Sequence, residues 1–566
     1  MPLPSTTSPH QLTVGEAQGV DPLAPLEGLI QWVIGTTVHI AIGLSLGLLA
    51  ARLMRRWHLH WSWGTVVLAS VVLARTELAS AAAPLGAGAL AAAVRGRRWH
   101  NEDLEAGADL AEIARDRCHP LDVARTGVRR VRIAGAEAMM GMPASLRHIF
   151  ASHSASARCS RWFDGEQLIL GSERHGRAVA IELGGTRGGT HTLVVGATGS
   201  GKTVTQTWIA VQAIAHGMGA VIVDPKGDSA LRDAACRAAG AAGRRFIEWT
   251  PSGPSLYNPC ARGSSTEIAD RVLAAERYTE PHYQRQAQRY VGHAVRALQY
   301  AGQQVTLDRL VRMLDPAGLE LLGRELPQEQ SRALHDYLDS LTSRQRSDLV
   351  GVRDRLAILV ESDVGCWLDP ERTSAACFDL LEALQERAVV YFALRADSRP
   401  LLAQMLGGAI IQDLQSAIST LQVQPVPALV LIDEFSALAA EHVARLFGRA
   451  RSAGVSLLLG TQELSDLRLA GREQLLEQVL GNLTSLIAHR QVVPDSAELI
   501  ARLAGTRGAW NTSWQGDRRG TRTRVREYLL APDEVKCLAR GHAAVIRLSG
   551  RTRVEVAQIL APGGEL

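Results

Sequence analysis

A glycine-rich motif between an apolar run and a helical pattern is the feature that most limits the fold of this 566-residue chain. Residues 196–203 read GATGSGKT; they follow the apolar run 192–195 and lead into 204–210, which has a helical pattern. A strand, a glycine-rich turn and a helix in this order are the context that a phosphate-binding loop (P-loop) requires. Its glycines let backbone N–H groups approach phosphate oxygens, and the helix N-terminus favours negative charge. The sequence therefore predicts an α/β body that binds a nucleotide at this loop.

The whole loop is assigned to nucleotide binding, and its residues are Gly196, Ala197, Thr198, Gly199, Ser200, Gly201, Lys202 and Thr203. We expect Lys202 to contact the β- and γ-phosphates and the Thr203 hydroxyl to bind Mg²⁺. Only three of the 61 basic residues are lysines, namely Lys202, Lys226 and Lys536. Because arginine has replaced lysine almost everywhere else, these positions favour a compact ammonium over a planar guanidinium.

A second apolar run supplies the carboxylates of an ATP site. Residues 428–434 read ALVLIDE, which is the Walker B pattern. Asp433 is expected to hold Mg²⁺ through water, and Glu434 to orient or activate the attacking water. A further apolar run at 455–460 is followed by Gln462, at a strand tip from which a polar side chain can sense the γ-phosphate.

Two other groups of residues are candidates for the same site. Arg449 and Arg451 precede the run 455–460, and either is a candidate arginine finger for a neighbouring subunit, with a surface charge as the alternative. Asp224 and Lys226 belong to the sequence DPKGD, which follows the apolar run 220–223. An apolar run that ends in polar residues is typical of a buried parallel strand whose tip meets a ligand, so Asp224 is placed in the nucleotide site.

Composition sets limits on partners and compartment. The net charge is only +4, so composition alone indicates no strong affinity for polyanions. The seven cysteines form no CxxC pair, which favours a reduced cytosolic body without a zinc site. No helix-turn-helix, zinc finger or other sequence-reading module is visible. The arginine-rich run 518–526 beside Trp510 and Trp514 either contacts nucleic acid or is a solvated loop.

The N-terminal region predicts a membrane anchor. Residues 29–53 are apolar and uncharged until Arg52, which is long enough to cross a bilayer of ~30 Å. A second apolar region, 61–94, is weaker because charged residues interrupt it. Residues 1–28 contain no Lys or Arg, whereas three arginines follow the first span, so the positive-inside rule favours one crossing with the N-terminus outside. A two-span hairpin remains the alternative, and a buried core helix is a third interpretation of 29–53.

The rest of the chain alternates between strand and helix patterns. A β-hairpin is predicted at 166–183, and further strands at 246–249, 388–394 and 428–432. This alternation predicts a doubly wound parallel sheet of the α/β class. The expected domain layout is a tail at 1–28, a membrane anchor at 29–94, a helical linker at 95–164, a motor domain formed by 165–263 and 386–566, and an all-α insertion at 264–385.

Several stretches together resemble the type IV secretion coupling proteins of the TraD/TraG type, within the FtsK/HerA group of P-loop ring ATPases. The stretches are HTLVVGATGSGKT from His191, VIVDPKGD from Val221, VVYFALRADSRPLLAQMLGGAIIQDL from Val389, LVLIDEF from Leu429, ARSAGVSLLLGTQELSDL from Ala450 and NLTSLIAHRQ from Asn482. The similarity covers roughly residues 165–550 and is specific in combination.

The resemblance implies a RecA/FtsK-like motor domain with an all-α insertion, a membrane anchor that usually has two spans, and a homohexameric ring. It implies ATP hydrolysis with Mg²⁺, used to move DNA toward a secretion channel during conjugative transfer. The expected partners are DNA held by its backbone, a relaxase or other secreted protein, type IV secretion channel components and the inner membrane. The motor domain is expected in the cytoplasm.

The family motifs map onto single positions of this sequence. Lys202 and Thr203 match the P-loop positions, Asp433 and Glu434 match the Walker B pair, and Gln462 matches a sensor glutamine. Arg451 is the closer match to the arginine finger because it lies eleven residues before that glutamine. Two alternatives stay open: an ATP-binding receptor that recruits protein substrates without pumping DNA, and an FtsK-like chromosomal DNA translocase.

Overall fold

The computed structural model describes residues 24–56, 64–65, 67, 79–105, 162–164, 166–173, 177–184, 188–276, 278, 280–438, 440–468, 473–515, 519–549 and 552–562. Most of the predicted tail (residues 1–23), most of the predicted linker and Arg518 lie outside these residues. The chain divides into two compact units, residues 1–125 with 508–526 and residues 126–507 with 527–566.

The first unit contains two long helices, α1 (Ala24–Arg56) and α2 (Ala79–Glu105). Within α1 the segment Trp32–Leu53 is long and apolar enough to cross a membrane, with a mean hydropathy of 1.9, and no other helix of the described residues is. Large apolar side chains on this segment are exposed, including Trp32 and Leu46. Exposed apolar surface of this extent is typical of contact with a membrane or a partner.

Small residues bring α1 and α2 close together. A Cβ added to Gly43 would lie 2.2 Å from the Pro84 carbonyl oxygen, and one added to Gly47 would lie 2.2 Å from the Gly88 carbonyl oxygen. Four residues further along each helix lies a buried alanine: Ala51 follows Gly47 on α1, and Ala92 follows Gly88 on α2. Small residues at this spacing are how transmembrane helices pack backbone to backbone. Small residues at these positions therefore let α1 and α2 pack closely.

The second unit is built on one large mixed sheet. The strands of the chain are β1 (Phe163–Asp164), β2 (Gln167–Ser172), β3 (Ala178–Glu182), β4 (His191–Val195), β5 (Gly219–Asp224), β6 (Phe246–Trp249), β7 (Leu256–Tyr257), β8 (Cys377–Phe378), β9 (Val389–Ala393), β10 (Ala428–Ile432), β11 (Val455–Thr461), β12 (Ser485–Ala488), β13 (Thr506–Gln515), β14 (Arg519–Tyr528), β15 (His542–Arg547) and β16 (Arg553–Ile559). The large sheet has the order β1-β2-β16-β15-β12-β4-β11-β10-β5-β9-β6, and β3 pairs with β2. β13 pairs with β14, and β7 with β8, in two-stranded sheets.

The strands from β12 to β6 in this order are all parallel to their neighbours. Every residue of β4, β9 and β10 is buried, as expected for parallel strands with both faces covered. Ile432 pairs with Val223, and Thr461 pairs with Val195, so the carboxyl ends of β4, β5, β10 and β11 lie at one edge. The predicted α/β P-loop fold with a doubly wound parallel sheet is confirmed, and this edge is where its ligand site is expected.

The sheet also has an antiparallel extension that the sequence did not predict. β15 pairs with β12, β16 with β15, and β2 with β16, all antiparallel. The hairpin predicted at 166–183 is present as β2 and β3, but three strands separate β2 from β4. Two of those strands come from the C-terminal end of the chain, and a pairing between distant segments leaves no local sequence pattern.

Helices cover both faces of the sheet. They are α3 (Lys202–Ala215), α4 (Ser229–Ala241), α5 (Ser265–Val272), α6 (Pro281–Tyr300), α7 (Leu307–Met313), α8 (Pro316–Gly323), α9 (Gln328–Asp339), α10 (Ser343–Glu361), α11 (Leu380–Gln385), α12 (Pro400–Leu421), α13 (Ala440–Ala450), α14 (Glu473–Asn482), α15 (Pro494–Ala504) and α16 (Pro532–Lys536).

The segment from α5 to α11 is helical, as predicted, apart from one short strand. That strand, β8, pairs in parallel with β7 and so joins the two ends of the helical segment. With only two residues, it is too short to show an alternating pattern in the sequence. A buried ion pair also ties α5 to α12, where Arg271 Nη2 lies 3.0 Å from Asp413 Oδ1. Tyr257 of β7 donates to the same carboxylate at 2.9 Å.

Candidate active site: the P-loop and the Walker B carboxylates

The loop between β4 and α3 needs glycine at three positions. Gly199 and Gly201 have φ values of +77° and +116°, in the left-handed region where glycine alone is unstrained. A Cβ on Gly196 would lie 2.5 Å from Ser200 Oγ and 2.7 Å from His489 Cβ, so a larger residue does not fit there. The motif GATGSGKT therefore forms the compact turn that its glycines predicted.

The loop fits a bound phosphate chain. Lys202 is the first residue of α3, so the ammonium and the free N–H groups of the helix start at the same place. The Ser200 hydroxyl is buried and, within the described part of the chain, accepts and donates no hydrogen bond. An unpaired buried hydroxyl in this position is a ready partner for a phosphate oxygen.

The residues also fit Mg²⁺ held jointly by protein and nucleotide. Among the described residues, no three or more His, Cys, Asp or Glu side chains cluster as a metal cage. Thr203, on the first turn of α3, and Asp433, directly after β10, would be the protein's oxygen ligands. A site with few protein oxygens is what Mg²⁺ bound to substrate phosphates uses.

Lys202 connects the loop to both Walker B carboxylates. Its Nζ donates a hydrogen bond to Glu434 and lies 3.2 Å from Asp433 Oδ1. Gln206, one turn along α3, donates to the same Asp433 oxygen at 3.1 Å. All of these side chains except Gln206 belong to the predicted site, and the structure brings them together. Sequence reasoning missed Gln206, whose only signal is its position four residues after Lys202 on the same helix.

Glu434 is ionised in spite of its burial. Its side chain is only 9% exposed, and burial on its own raises the pKa of this carboxyl. The ammonium groups of Lys202 and Lys226 outweigh that effect and hold the pKa below its usual value. The residue has φ +42°, in the left-handed region that costs a non-glycine residue about 1–2 kcal/mol. Strain of this kind is concentrated at functional sites.

Asp224, predicted in the nucleotide site, lies buried at the end of β5 and organises the DPKGD turn. Its Oδ1 accepts from the backbone N–H groups of Lys226 and Gly227 at 2.9 and 3.0 Å. Its Oδ2 accepts from the Asp228 N–H at 2.6 Å and from the Tyr391 hydroxyl at 2.7 Å. Both oxygens are therefore occupied within the protein, and the side chain that this turn presents to the site is Lys226.

Lys226 forms the second contact to Glu434. Its Nζ donates to Glu434 Oε1 at 2.9 Å, while about half of its side chain is exposed. Burial works to lower the pKa of Lys226, but the hydrogen bond and the charge of Glu434 more than offset it and raise the pKa. Two of the three lysines of the chain thus meet on one carboxylate.

Gln462, the predicted sensor, lies beside the P-loop. β11, which it follows, is hydrogen-bonded between β4 and β10. The Thr198 hydroxyl of the P-loop donates to Gln462 Oε1 at 3.3 Å. The strand order thus places this glutamine between the loop and the Walker B carboxylates.

Neither candidate arginine finger belongs to the site of its own chain. Arg449 and Arg451 lie at the amino end of β11, and the seven residues of that strand span ~23 Å at ~3.3 Å per residue. Arg449 Nη1 donates to Ser419 Oγ at 3.2 Å, and Arg451 is exposed. A role for either arginine in hydrolysis would have to be at a neighbouring subunit, and this stays a prediction.

The sequence did not identify His489, which links the helix after the P-loop to the neighbouring strands of the sheet. The residue follows β12 and is fully buried. Its Nδ1 lies 3.0 Å from the His542 carbonyl oxygen, which can only accept, so Nδ1 carries the proton and Nε2 accepts from Thr205 Oγ1 at 2.8 Å. Burial lowers the pKa of His489 to about 4, so the ring is neutral. Its signal was a polar residue at the tip of an apolar run, inside the stretch NLTSLIAHRQ.

Comparison with known proteins agrees with this geometry. Residues 179–364 match the family model of the central domain of the helicase HerA, and residues 427–540 match that of the TraM recognition site of TraD and TraG. The unbound bacterial conjugative coupling protein TrwB has a similar fold, with a TM-score of 0.51 and 19% identity over 70% of this chain and 89% of that chain. TrwB in complex with the ATP analogue ADPNP gives the same TM-score and identity over 72% of this chain and 96% of that chain. An uncharacterized protein of Mycoplasma pneumoniae is 29% identical over 104 residues, which are 18% of this chain and 69% of that protein.

The fold, the P-loop and the Walker B pair define a P-loop ATPase, and its residues 179–364 match the model of the HerA central domain. The match to the TraD/TraG family model over residues 427–540 supports a type IV secretion coupling protein, and TrwB shares the fold. The resemblance stated from the sequence motifs is thereby confirmed.

Proposed function

We propose that this protein is a membrane-anchored ring ATPase that couples ATP hydrolysis to the movement of DNA, or of a DNA–protein complex, in conjugative transfer by type IV secretion. The observation that carries the proposal is the meeting of Lys202, Asp433, Glu434 and Gln462 at the carboxyl edge of the parallel strands. TrwB, whose fold the chain shares, has been solved with ADPNP and with a GTP analogue, which supports ATP as the ligand here.

Each residue of the site has a task in hydrolysis. The P-loop N–H groups and Lys202 would bind and orient the β- and γ-phosphates. Thr203 and Asp433 would hold Mg²⁺, which neutralises charge on the phosphates. Glu434 would orient the attacking water, and Gln462 would contact the γ-phosphate from the neighbouring strand tip. Because phosphoryl transfer depends mainly on positioning and charge, these contacts account for most of the catalysis.

The position of the arginines supports a ring. Arg451 lies at the amino edge of the sheet, on the side opposite its own P-loop. Placed against the P-loop of a neighbour, it would supply positive charge to the transition state, which is worth a factor of ~10³–10⁵ in related enzymes. That arrangement and the family resemblance support a homohexamer in which every site is completed by the next subunit.

The proposed location is the inner membrane, with the motor domain in the cytoplasm. The apolar helix Trp32–Leu53 supports this location. The charge pattern favours a single crossing by α1, and a two-span hairpin in which α2 packs against α1 is the alternative.

The proposed partners are DNA, a relaxase or other secreted protein, and components of the secretion channel. DNA contact would be made to the phosphate backbone and without sequence preference. The match to the TraM recognition site over residues 427–540 also favours recruitment of a protein. A receptor that binds ATP without pumping DNA is therefore the second candidate function.

ATP hydrolysis with and without DNA separates these two functions. The full chain is purified in lipid nanodiscs and assayed at low salt, because phosphate contacts weaken steeply as salt rises. Lys202→Ala serves as the blank. Strong stimulation by single- or double-stranded DNA is expected for the pump, whereas turnover that ignores DNA would favour the receptor.

A further inference from the structure

The turn between β5 and α4 delivers a lysine to the proposed catalytic glutamate. β5 and β10 are adjacent and parallel, and the Asp433 N–H donates to the Val223 carbonyl at 3.1 Å, so the two strand tips lie level. The Asp224 carboxylate and the φ of +73° at Gly227 shape the turn that follows. Its fixed geometry brings Lys226 Nζ within 2.9 Å of Glu434 Oε1.

The ammonium groups of Lys202 and Lys226 both contact the Glu434 carboxylate, and they differ in their other binding partners. Lys202 is buried, and as the P-loop lysine it is required by the nucleotide phosphates. Lys226 is half exposed, its ion pair is with Glu434, and no P-loop residue donates to or accepts from its side chain in the described structure. When phosphates draw Lys202 away, Lys226 is the ammonium that still contacts Glu434.

Glu434 depends on such a contact. The residue occupies a left-handed backbone conformation and is followed at once by the short helix Phe435–Ala437, so the direction of its side chain has to be fixed by a partner. A carboxylate that is nearly buried and lacks a partner is also costly to keep charged. The composition points the same way, since this position keeps one of only three lysines in an arginine-rich chain.

We propose that Lys226 is a positioning residue for ATP hydrolysis: it holds the Glu434 carboxylate in place for the attacking water after the nucleotide has engaged Lys202. This inference rests on the proposed ATPase function and adds to it a role for the DPKGD turn. Lys226 acts through Glu434 and not on the phosphates, so its loss impairs turnover and leaves nucleotide binding intact.

The test compares Lys226→Met with Lys536→Met in the full chain in nanodiscs. Lys536 is the matched control, because it is a lysine on α16 whose recorded ion pair is with Asp533 at 3.4 Å. For Lys226→Met we expect kcat to fall on the order of 10²-fold, as misplacement of a reacting group by about 1 Å does. KM and the Kd of a fluorescent ATP analogue should stay within about twofold of wild type, the signature of an interaction used only in the transition state. Lys536→Met should match wild type in each of these values.

Lys226→Arg tests whether Glu434 needs only a positive charge at position 226 or also the compact shape of the lysine ammonium. Lys226→Arg keeps the positive charge but replaces the compact ammonium with a planar guanidinium, so it should recover part of the lost kcat and not all of it. An unchanged or raised kcat in Lys226→Met would overturn the proposal, as would a Kd that rises as much as kcat falls. Hydrolysis in the Lys226 test is measured without DNA. If the separate DNA-stimulation assay shows turnover that ignores DNA, the pump is refuted and the result for Lys226 still stands.

Discussion

Thr205 Oγ1 lies 2.8 Å from Nε2 of His489, and this hydrogen bond joins the P-loop helix to the tip of β12. His489 in turn donates to the His542 carbonyl of β15, where the antiparallel part of the sheet begins. The helix that follows the P-loop is therefore held in place by a residue at the end of β12, a strand that belongs to neither Walker motif.

Replacing His489 with leucine should loosen this support. Thr205 would keep a buried hydroxyl without its acceptor, at a cost of about 1–3 kcal/mol. We expect a lower midpoint of thermal unfolding and weaker binding of a fluorescent ATP analogue. Adding Thr205→Val should recover part of the loss, because the unpaired hydroxyl is then removed.

Thr420→Val is the control for that experiment, since Thr420 is exposed and its hydroxyl bonds only to the carbonyl four residues earlier on α12. Thr420→Val should leave the unfolding midpoint and the affinity for the ATP analogue unchanged. A His489→Leu protein with the midpoint and affinity of wild type would contradict the supporting role.

Two buried histidines should make the fold sensitive to mild acid. Burial lowers the pKa of His191 and His489 to about 4, from 6.5. Between these values the unfolded chain binds protons that the folded chain does not, so stability is full above pH 6.5 and falls as pH drops toward 4. Each residue contributes up to ~3 kcal/mol of this loss.

Thermal unfolding midpoints measured across that pH range test the prediction. The variants His191→Gln and His489→Gln should each show a shallower decline than wild type, because each removes one of the two groups. If the unfolding midpoint declined equally steeply with falling pH in all three proteins, the two histidines would not be the cause of the acid sensitivity.

The strand patterns made the P-loop and the Walker B pair predictable, because each motif is local and ends a strongly apolar run. Gln462 was predictable for the same reason. The contact of Lys226 with Glu434 was not, because it depends on β5 lying next to β10, and strand order is set by packing of the whole chain. The place of His489 under the loop and the pairing of β15 and β16 with β12 and β2 are also long-range features.

The buried pair Arg271–Asp413 should be essential for the junction between α5 and α12. Both side chains are at most 5% exposed and lie 3.0 Å apart, so Asp413→Ala leaves the buried Arg271 guanidinium without its carboxylate partner. A loss of about 3–5 kcal/mol is expected, seen as a large drop in the unfolding midpoint. The control is Glu320→Ala, which removes a surface pair with Arg324 and should cost well under ~1 kcal/mol. Equal effects of the two substitutions would show that the buried pair is not the junction's anchor.

Arg451 should act on the site of a neighbour. Arg451→Ala and Lys202→Ala proteins should each hydrolyse ATP at least ~10³-fold more slowly than wild type. Mixed in one ring, they should regain part of the rate, because a Lys202→Ala subunit still offers its arginine to an intact P-loop. Arg449→Ala, which removes a contact to Ser419, is the control and should hydrolyse normally. Failure of the mixture to recover, or normal turnover by Arg451→Ala alone, would rule out this finger.

The central claim is that Glu434, held beside the P-loop by two lysines, orients the water that attacks ATP. The most direct measurement is single-turnover ATP hydrolysis by Glu434→Gln, with nucleotide binding measured on the same protein. Our account predicts binding close to wild type and a rate lower by a factor of at least ~10². Normal turnover by this variant would contradict the account.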